Sequence, residues 1–279
     1  MTGLLSTPTV VAVSLICKAF LNSPFCSVTV NGLPALMEAL HSEQRQRGRG
    51  IVTVSNHISV LDDPIAWGVL PTRLHWSSRT TRWALGASDI MFTNPAFSAF
   101  FRAGQVLETF RGRGVYQPAV DTAIEKLNQG QWVHLFGEGK VNQQHGFKKD
   151  DNVTRLPRFK WGIGRILMET ALPPIIIPMW LTGFDKLMPE HRPFPWKYIP
   201  RLGVKLSITF GDPLSPEDIH TVLRTLMRER MTREFNSTDT SRRREIDRVR
   251  SVVTAIVQQS VENVGRRVSG DTLGKNIDR

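Results

Sequence analysis

Two side chains of this chain have the types and spacing for acid–base work. His57 and Asp62 stand five positions apart in the stretch Ile51 to Pro64, IVTVSNHISVLDDP. On a helix that spacing would turn them away from each other, since neighbours there are roughly three or four residues apart. On a turn the two can meet. A carboxylate that holds one imidazole nitrogen leaves the other free to take a proton from a hydroxyl. The pair is therefore a candidate general base with its orienting group. The alternative is a loop histidine followed by an aspartate that only caps a helix.

Two further stretches could meet a polar substrate. In Gly104 to Gly114, GQVLETFRGRG, two arginines follow a strand-like run. Arg111 and Arg113 could clamp a phosphate, for which the guanidinium fork is well shaped; the alternative is a solvated basic turn. In Gly137-Glu138-Gly139-Lys140 a glutamate stands between two glycines, which lets the backbone approach a ligand closely. Glu138 is expected to be exposed there and able to accept a hydrogen bond from a substrate hydroxyl, and Lys140 able to meet a phosphate. The alternative is a turn with a solvated charge pair. No third ligand beside His57 and Asp62 suggests a metal site, and no G-x-S-x-G elbow suggests a serine hydrolase.

The elements around these residues place them at strand ends. Ile51, Val52, Thr53 and Val54 are β-branched in succession, the composition of a buried strand. Asp62, Asp63 and Pro64 read as a helix start, with the helix continuing through Ile65 to Leu70. His57 then lies on a strand-to-helix connection at the carboxyl end of a sheet strand, where open α/β folds place ligands. Leu33 to His41 reads as a short helix, Ala84 to Ile90 as helical, and Asn94-Pro95 as the start of a helix to Arg102. Gln105 to Phe110 and Trp132 to Phe136 read as strands. Val120, Ala123, Ile124 and Leu127 give Gln117 to Asn128 one apolar stripe. Ile175 to Met179 reads as a buried strand, and Lys205 to Phe210 alternates as another. Ser215 to Asp218 reads as a helix start, Asn236 to Ser241 as a linker, and Ile246, Val249, Val253, Ile256 and Val257 as a helical stripe before a frayed tail. The fold class expected is α/β: a central, mostly parallel or mixed sheet flanked by helices. The organisation expected is an N-terminal membrane-associating segment (1–30), an α/β domain (31–215) and a C-terminal helical region (216–279).

Composition narrows the partners. The 279 residues are 41% hydrophobic and 22% charged, with a net charge of +11 and a pI of about 10.2. That is globular, and it attracts anionic partners. No zinc-finger spacing, RNP-like aromatic run or block of five basic residues points to nucleic acid. Cys17 and Cys26 are too few for a disulfide framework. Sequons at Asn152 and Asn236 carry little weight. Thr9 to Phe25 is apolar but interrupted by Lys18, Asn22 and Pro24, so it suits an interfacial position or a dip into one leaflet better than a span; a helix packed on the domain is the alternative. No positive charge precedes it, which disfavours a signal peptide, and the first seventeen residues hold no Arg, which disfavours a mitochondrial presequence. Met188 to Leu202 mixes Phe194, Trp196 and Tyr198 with Arg192, Lys197 and Arg201, a composition that membrane interfaces recruit; a Pro-rich surface loop is the alternative.

Taken in order, NHISVLDDPIAWG (Asn56 to Gly68), Gly104 to Arg111, WVHLFGEGKVN (Trp132 to Asn142), RFKWGIGR (Arg158 to Arg165) and Pro174 to Pro178 resemble the blocks of the glycerolipid acyltransferase family, over roughly Ile51 to Pro213. The detail is most similar to its branch of cardiolipin-remodelling transacylases. The family's third block usually has Pro where Gly137 stands. The resemblance implies His57 as general base on the acyl-accepting hydroxyl, oriented by Asp62, with Arg111 on phosphate and Asn56, Glu138, Gly139 and Lys140 around the substrate. It implies no metal and no cofactor. It implies acyl transfer without coenzyme A from a phospholipid such as phosphatidylcholine to monolysocardiolipin, forming cardiolipin; an acyl-CoA-dependent lysophospholipid or glycerol-phosphate acyltransferase and a non-catalytic membrane-binding scaffold are the alternatives. The partners implied are phospholipids and an anionic membrane surface, with an oligomer left open. The location implied is peripheral or monotopic, on mitochondrial membranes facing the intermembrane space. Backbone N–H groups at the helix start after Asp62 are the expected donors for the oxyanion.

Overall fold

The computed structural model describes residues 5–143, 147–150, 153–215 and 239–274. The sequons at Asn152 and Asn236, the helix start at 216–218, the Arg-rich run at 224–233 and the tail beyond 274 lie outside them.

The β-branched run becomes β2 (Ile51–Ser55), buried along its whole length. It sits in a sheet with β1 (Cys26–Asn31), β3 (Trp83–Ala87), β4 (Val106–Thr109), β5 (Trp132–Phe136), β8 (Ile175–Thr182) and β9 (Val204–Phe210). A separate antiparallel pair is formed by β6 (Lys148–Asp150) and β7 (Val153–Arg155). The sheet order is β1-β9-β8-β2-β5-β3-β4. Only β8 and β9 run antiparallel to each other; every other pairing is parallel. The α/β mixed sheet expected from the sequence is thus the one found. Because β2, β3, β4, β5 and β8 share one direction, their carboxyl ends open on one edge, and the connections after them gather there. β1 crosses the boundary suggested at residue 30 and joins the same sheet as an edge strand.

Helices cover both faces. They are α1 (Ser6–Leu21), α2 (Leu33–His41), α3 (Asp62–Ala66), α4 (Ser88–Met91), α5 (Pro95–Ala103), α6 (Pro118–Asn128), α7 (Gly162–Glu169), α8 (Phe184–Leu187) and α9 (Asp239–Ser269). Strand pairing in register puts Thr53 with Ile177 and Val54 with Pro178, so the two faces can be followed across the sheet. On the face of Thr53 and His134, Trp67, just after α3, sets its ring edge-on to Trp132 at 4.7 Å and to His134 at 4.9 Å. On the face of Pro178 and Trp180 lies α9, where Trp180 Nε1 donates to Ser269 Oγ at 3.0 Å. The stripe of α9 extends through buried Val253, Val257, Val261 and Val264. It begins inside the stretch read as a linker, at Asp239, where Asp, Thr and Ser suit a helix start.

A second segment also differs from its sequence reading. Ala84 to Ile90 reads as helical, but Trp83–Ala87 is a strand paired on both sides, and only Ser88–Met91 is helix. Five residues are too few for periodicity to separate a buried strand from a buried helix. The apolar N-terminal run is helix α1, with Val10, Val11, Ser14, Cys17 and Leu21 buried on the domain. Lys18, which interrupts it, donates to the carbonyls of Gly68 at 3.4 Å and Leu70 at 3.0 Å. Its outer face leaves Leu5, Leu15 and Ile16 exposed. Among the described residues no helix is long and apolar enough to cross a membrane.

The contact between α9 and β8 depends on a glycine. A Cβ at Gly265 would lie 2.8 Å from the Trp180 ring. Alanine is the better helix former by about 1 kcal/mol, while overpacking a filled core costs roughly 1–3 kcal/mol. Gly265→Ala is therefore expected to lose stability despite its higher helix propensity, read as a lower urea midpoint at unchanged m-value.

Candidate active site

β2 ends at Ser55, and the chain turns over the sheet edge. Asn56 is the first residue of that turn, and it is buried. Its Nδ2 donates to the Leu181 carbonyl at 3.0 Å and its Oδ1 accepts from the Leu181 N–H at 2.8 Å. Both ends of the amide are thus taken by β8, prolonging the β2–β8 ladder by one side chain. Asn56 is not free for substrate; it fixes where the turn begins.

His57 and Asp62 do meet. His57 Nδ1 lies 2.9 Å from Asp62 Oδ2. The same oxygen accepts from the N–H of Ile58 at 2.7 Å and of Ser59 at 2.8 Å. Asp62 therefore bonds backwards, to the turn that precedes it, and no side-chain cap is made at the start of α3. The helix-capping alternative is excluded by this geometry. Two backbone N–H donors and a ring nitrogen converge on one oxygen, a setting that suits a carboxylate. Burial pushes the Asp62 carboxyl up, against the lowering pull of the His57 ring and of the Ser59 and Ile58 N–H groups. With Nδ1 held, Nε2 is the ring nitrogen that can accept a proton. The His57 side chain is 19% exposed and that of Asp62 is fully buried, so the ring is open to solvent while its partner stays dry.

The third block supports His57 from beneath. Glu138 is 2% exposed, not the exposed group that flanking glycines suggest. Its Oε1 accepts from the His57 backbone N–H at 3.0 Å, and its Oε2 accepts from Asn142 Nδ2. The Asn142 N–H in turn donates to the His57 carbonyl at 2.7 Å. Both peptide groups of His57 are thus held by the loop after β5. Burial pushes the Glu138 carboxyl up to about 8. Gly137, where the family usually has Pro, donates to the Ser55 carbonyl at 3.3 Å and accepts from the Lys160 N–H at 2.8 Å. A Cβ there would fall 2.4 Å from the Phe159 ring, so glycine suits this packing and the loop is tied on both sides. Gly139 turns the chain at φ +70° and leaves Lys140 exposed.

Arg111 follows β4, at the far edge of the sheet. It is exposed and reaches Asp89 at 3.2 Å. With β5 and β3 lying between β4 and β2, it stands roughly 14 Å from the His57 strand at sheet spacing. Arg113 lies over the Phe110 ring at 4.7 Å.

Several supports carried no signal in the sequence. The Phe136 ring stacks on His57 at 4.0 Å and meets His134 edge-on at 4.5 Å. His134 is buried, and burial pushes its pKa down to about 3. Trp132 Nε1 donates to Thr53 Oγ1 at 2.9 Å, and Thr53 Oγ1 in turn lies 2.8 Å from His134 Nδ1, leaving a neutral ring as a fixed support. Asp63 pairs with Arg82 through Nε at 2.9 Å and through Nη2, and accepts from Trp67 Nε1 at 3.0 Å. Arg82 Nη1 donates to the Gly104 carbonyl at 2.8 Å, which ties α3 to the corner before β4. The N–H groups of the turn before α3 are taken: those of Ile58 and Ser59 go to Asp62, that of Leu61 to Ser59 Oγ at 3.2 Å, and that of Asp62 to the Ser59 carbonyl at 3.2 Å; after Asp62, where the oxyanion donors are expected, that of Ile65 goes to the Leu61 carbonyl at 3.2 Å.

The arrangement is a dry carboxylate, an oriented imidazole and a free ring nitrogen on a sheet edge. Over residues 38–182, just over half of the chain, the sequence matches the family model described as Acyltransferase. The chain belongs to the acyltransferase family. It is 38% identical over 204 residues to a Dictyostelium discoideum protein named Taffazin, covering 72% of this chain and 66% of that one. It is 42% identical over 175 residues to the Drosophila melanogaster Tafazzin, covering 63% of this chain and 43% of that one. To the Arabidopsis thaliana N-acylphosphatidylethanolamine synthase it is 35% identical over 218 residues, covering 76% of this chain and 71% of the relative. The chain thus spans less than two thirds of the length of the first two relatives. The acyltransferase match contains His57, Asp62, Arg111 and Glu138.

Glu138 gives the site a pH signature. Its folded pKa of about 8 lies well above the ordinary glutamate value of 4.5. A carboxyl raised in this way favours the fold below the unfolded pKa, and that contribution is lost as pH rises through the folded one. Glu138→Gln keeps an acceptor for the His57 N–H but cannot ionise. The variant is expected to gain stability relative to the parent between about pH 4.5 and 8, by an amount on the order of a few kcal/mol. Denaturation midpoints of both proteins across that range would test it, and parallel curves would refute it.

Proposed function

We propose that the protein is a phospholipid–lysophospholipid transacylase that moves acyl chains without coenzyme A, with monolysocardiolipin as acceptor and a phospholipid such as phosphatidylcholine as donor. The observation that carries this reading is the His57 Nδ1–Asp62 Oδ2 contact of 2.9 Å in a chain of the acyltransferase family. His57 Nε2 takes the proton of the acceptor hydroxyl. The hydroxyl oxygen attacks the donor's ester carbonyl and a tetrahedral oxyanion forms. The ester C–O bond then breaks, and the departing lysophospholipid oxygen takes the proton back from Nε2. No cofactor is consumed, because one ester replaces another. Asp62 keeps Nδ1 protonated and stabilises the imidazolium formed in between.

In this reading Asn56, Glu138 and Gly139 position the turn that carries His57, while Arg111 and Lys140, exposed cations on the same sheet edge, meet headgroup phosphates. The similarity to proteins named tafazzin and the exposed apolar face of α1 support peripheral association with mitochondrial membranes on the intermembrane-space side. Similarity to the N-acylphosphatidylethanolamine synthase favours a second reading, in which the acceptor is the amine of phosphatidylethanolamine and Nε2 takes its proton.

The test uses mixed bilayers of acyl-labelled phosphatidylcholine with monolysocardiolipin or phosphatidylethanolamine, without coenzyme A. Label is expected in cardiolipin, lowered about 10²–10⁴-fold in His57→Ala and strongly lowered in Asp62→Asn. Label in N-acylated phosphatidylethanolamine would select the second reading. Transfer that starts only when acyl-CoA is added would reject the transacylase and keep the base, and activity intact in His57→Ala would reject the base itself.

A further inference from the structure

Met188–Leu202 leaves the sheet after α8 and returns to β9. It stands out for what it exposes. Phe194 is 77% exposed, Tyr198 67% and Trp196 54%, with Ile199 and Leu202 beside them. Phe194 and Tyr198 lie edge to face at 6.5 Å, so the aromatic rings form one cluster. Contiguous apolar surface of this kind marks a site of interaction. Cations are set among the rings. Lys197 Nζ lies 4.8 Å over the Tyr198 ring, Arg192 Nη1 donates to the Ile199 carbonyl at 2.7 Å, and Arg201 is exposed. Glu190 is the one acidic residue in the stretch.

The base of this loop is closed and tied to the site. The Arg201 N–H donates to the Leu187 carbonyl at 2.8 Å, and the Gly203 N–H to the Phe25 carbonyl at 2.6 Å. Phe25 is itself exposed and continues the apolar surface towards the end of α1. Buried Gln143 bridges the loop to the His57 turn. Its Nε2 donates to the Ile58 carbonyl at 3.3 Å and to the Met188 carbonyl at 3.1 Å, and its Oε1 accepts from the Glu190 N–H at 3.2 Å. Val60, between His57 and Asp62, is exposed on the same edge.

We propose that Met188–Leu202 seats the protein on a bilayer with anionic headgroups, with Phe194, Trp196 and Tyr198 entering the headgroup region and Arg192, Lys197 and Arg201 meeting the phosphates. The proposal rests on the reading that the substrates are phospholipids and adds where the bilayer lies: against the edge that carries His57 Nε2. Charge complementarity selects a lipid surface, because aromatic rings and cations stand at one level, as interfacial belts require. A substrate held by its acyl chains in that bilayer then reaches His57 without crossing water.

The test is sedimentation of the full chain with vesicles of phosphatidylcholine containing phosphatidylglycerol. A variant combining Phe194→Ser, Trp196→Ser and Tyr198→Ser is expected to partition at least about tenfold more weakly. Lys197→Glu with Arg201→Glu is expected to lose about fivefold per charge on these vesicles and little on pure phosphatidylcholine. Both variants should transfer acyl chains as the parent does from short-chain phosphatidylcholine to short-chain lysophosphatidylcholine, each dispersed below its micelle concentration. Vesicle binding needs no turnover, so it decides this proposal even if no acyl transfer is found. Vesicle binding by both variants equal to that of the parent would overturn it and leave the loop as a surface for another protein. Should the triple variant fail to fold, quenching by brominated phospholipid compared between the parent and Trp196→Phe decides instead: reduced quenching in the variant supports the proposal and unchanged quenching overturns it.

Discussion

One carboxylate oxygen holds the candidate site in shape. Asp62 Oδ2 accepts from the His57 ring and from the N–H groups of Ile58 and Ser59. Hydrogen bonds to a charged group contribute about 1.5–3 kcal/mol each, and here they offset the burial of the carboxylate, which pushes the Asp62 carboxyl up. They act in a place without water, where little screening weakens them. The turn that places His57 on the sheet edge and the partner that orients its ring are therefore one interaction. Asp62 Oδ1 is buried without a hydrogen-bond partner among the described residues, so the charge is directed through a single oxygen.

Around that oxygen the turn is fixed from every side. Asn56 binds it to β8, Glu138 and Asn142 hold both peptide groups of His57, and Phe136 stacks beneath the ring. Under Phe136, His134 is kept neutral by burial and locked by Thr53. Asp63 and Arg82 tie the helix that starts at Asp62 to the corner before β4. Rigid support of this kind suits a base that must present one nitrogen in one direction, since freedom lost on folding need not be lost again on binding.

The sheet topology gives these parts a common direction. Five parallel strands end on one edge, and that edge collects the base, the exposed cations Arg111 and Lys140, and the aromatic loop after α8. Gln143 is the side chain by which the loop at Met188–Leu202 and the His57 turn share hydrogen bonds, so the proposed bilayer contact and the candidate base are joined on a single edge.

Much of this was legible in the residues. The β-branched run at Ile51–Val54, the stripe of α6, the Asn94 cap of α5 and the meeting of His57 with Asp62 follow from local chemistry, which acts over a few positions and leaves a periodic or stereochemical trace. Ala84–Ala87 as a strand did not follow, because its partners Val106–Thr109 and Val133–His134 lie far along the chain. Nor did the burial of Glu138 or of Asn56: flanking glycines and a loop position suggest exposure, and only the return of β5 and β8 alongside β2 closes over them. Phe136 and Arg82 sit among many residues of their types and gain their roles by proximity alone. The sequence by itself determined the reacting pair and the elements that carry it, through interactions between near neighbours. What ties that pair's turn to the rest of the fold was decided only by tertiary structure, because those contacts join residues from 19 to 125 positions apart, a separation at which sequence pattern carries no trace of pairing.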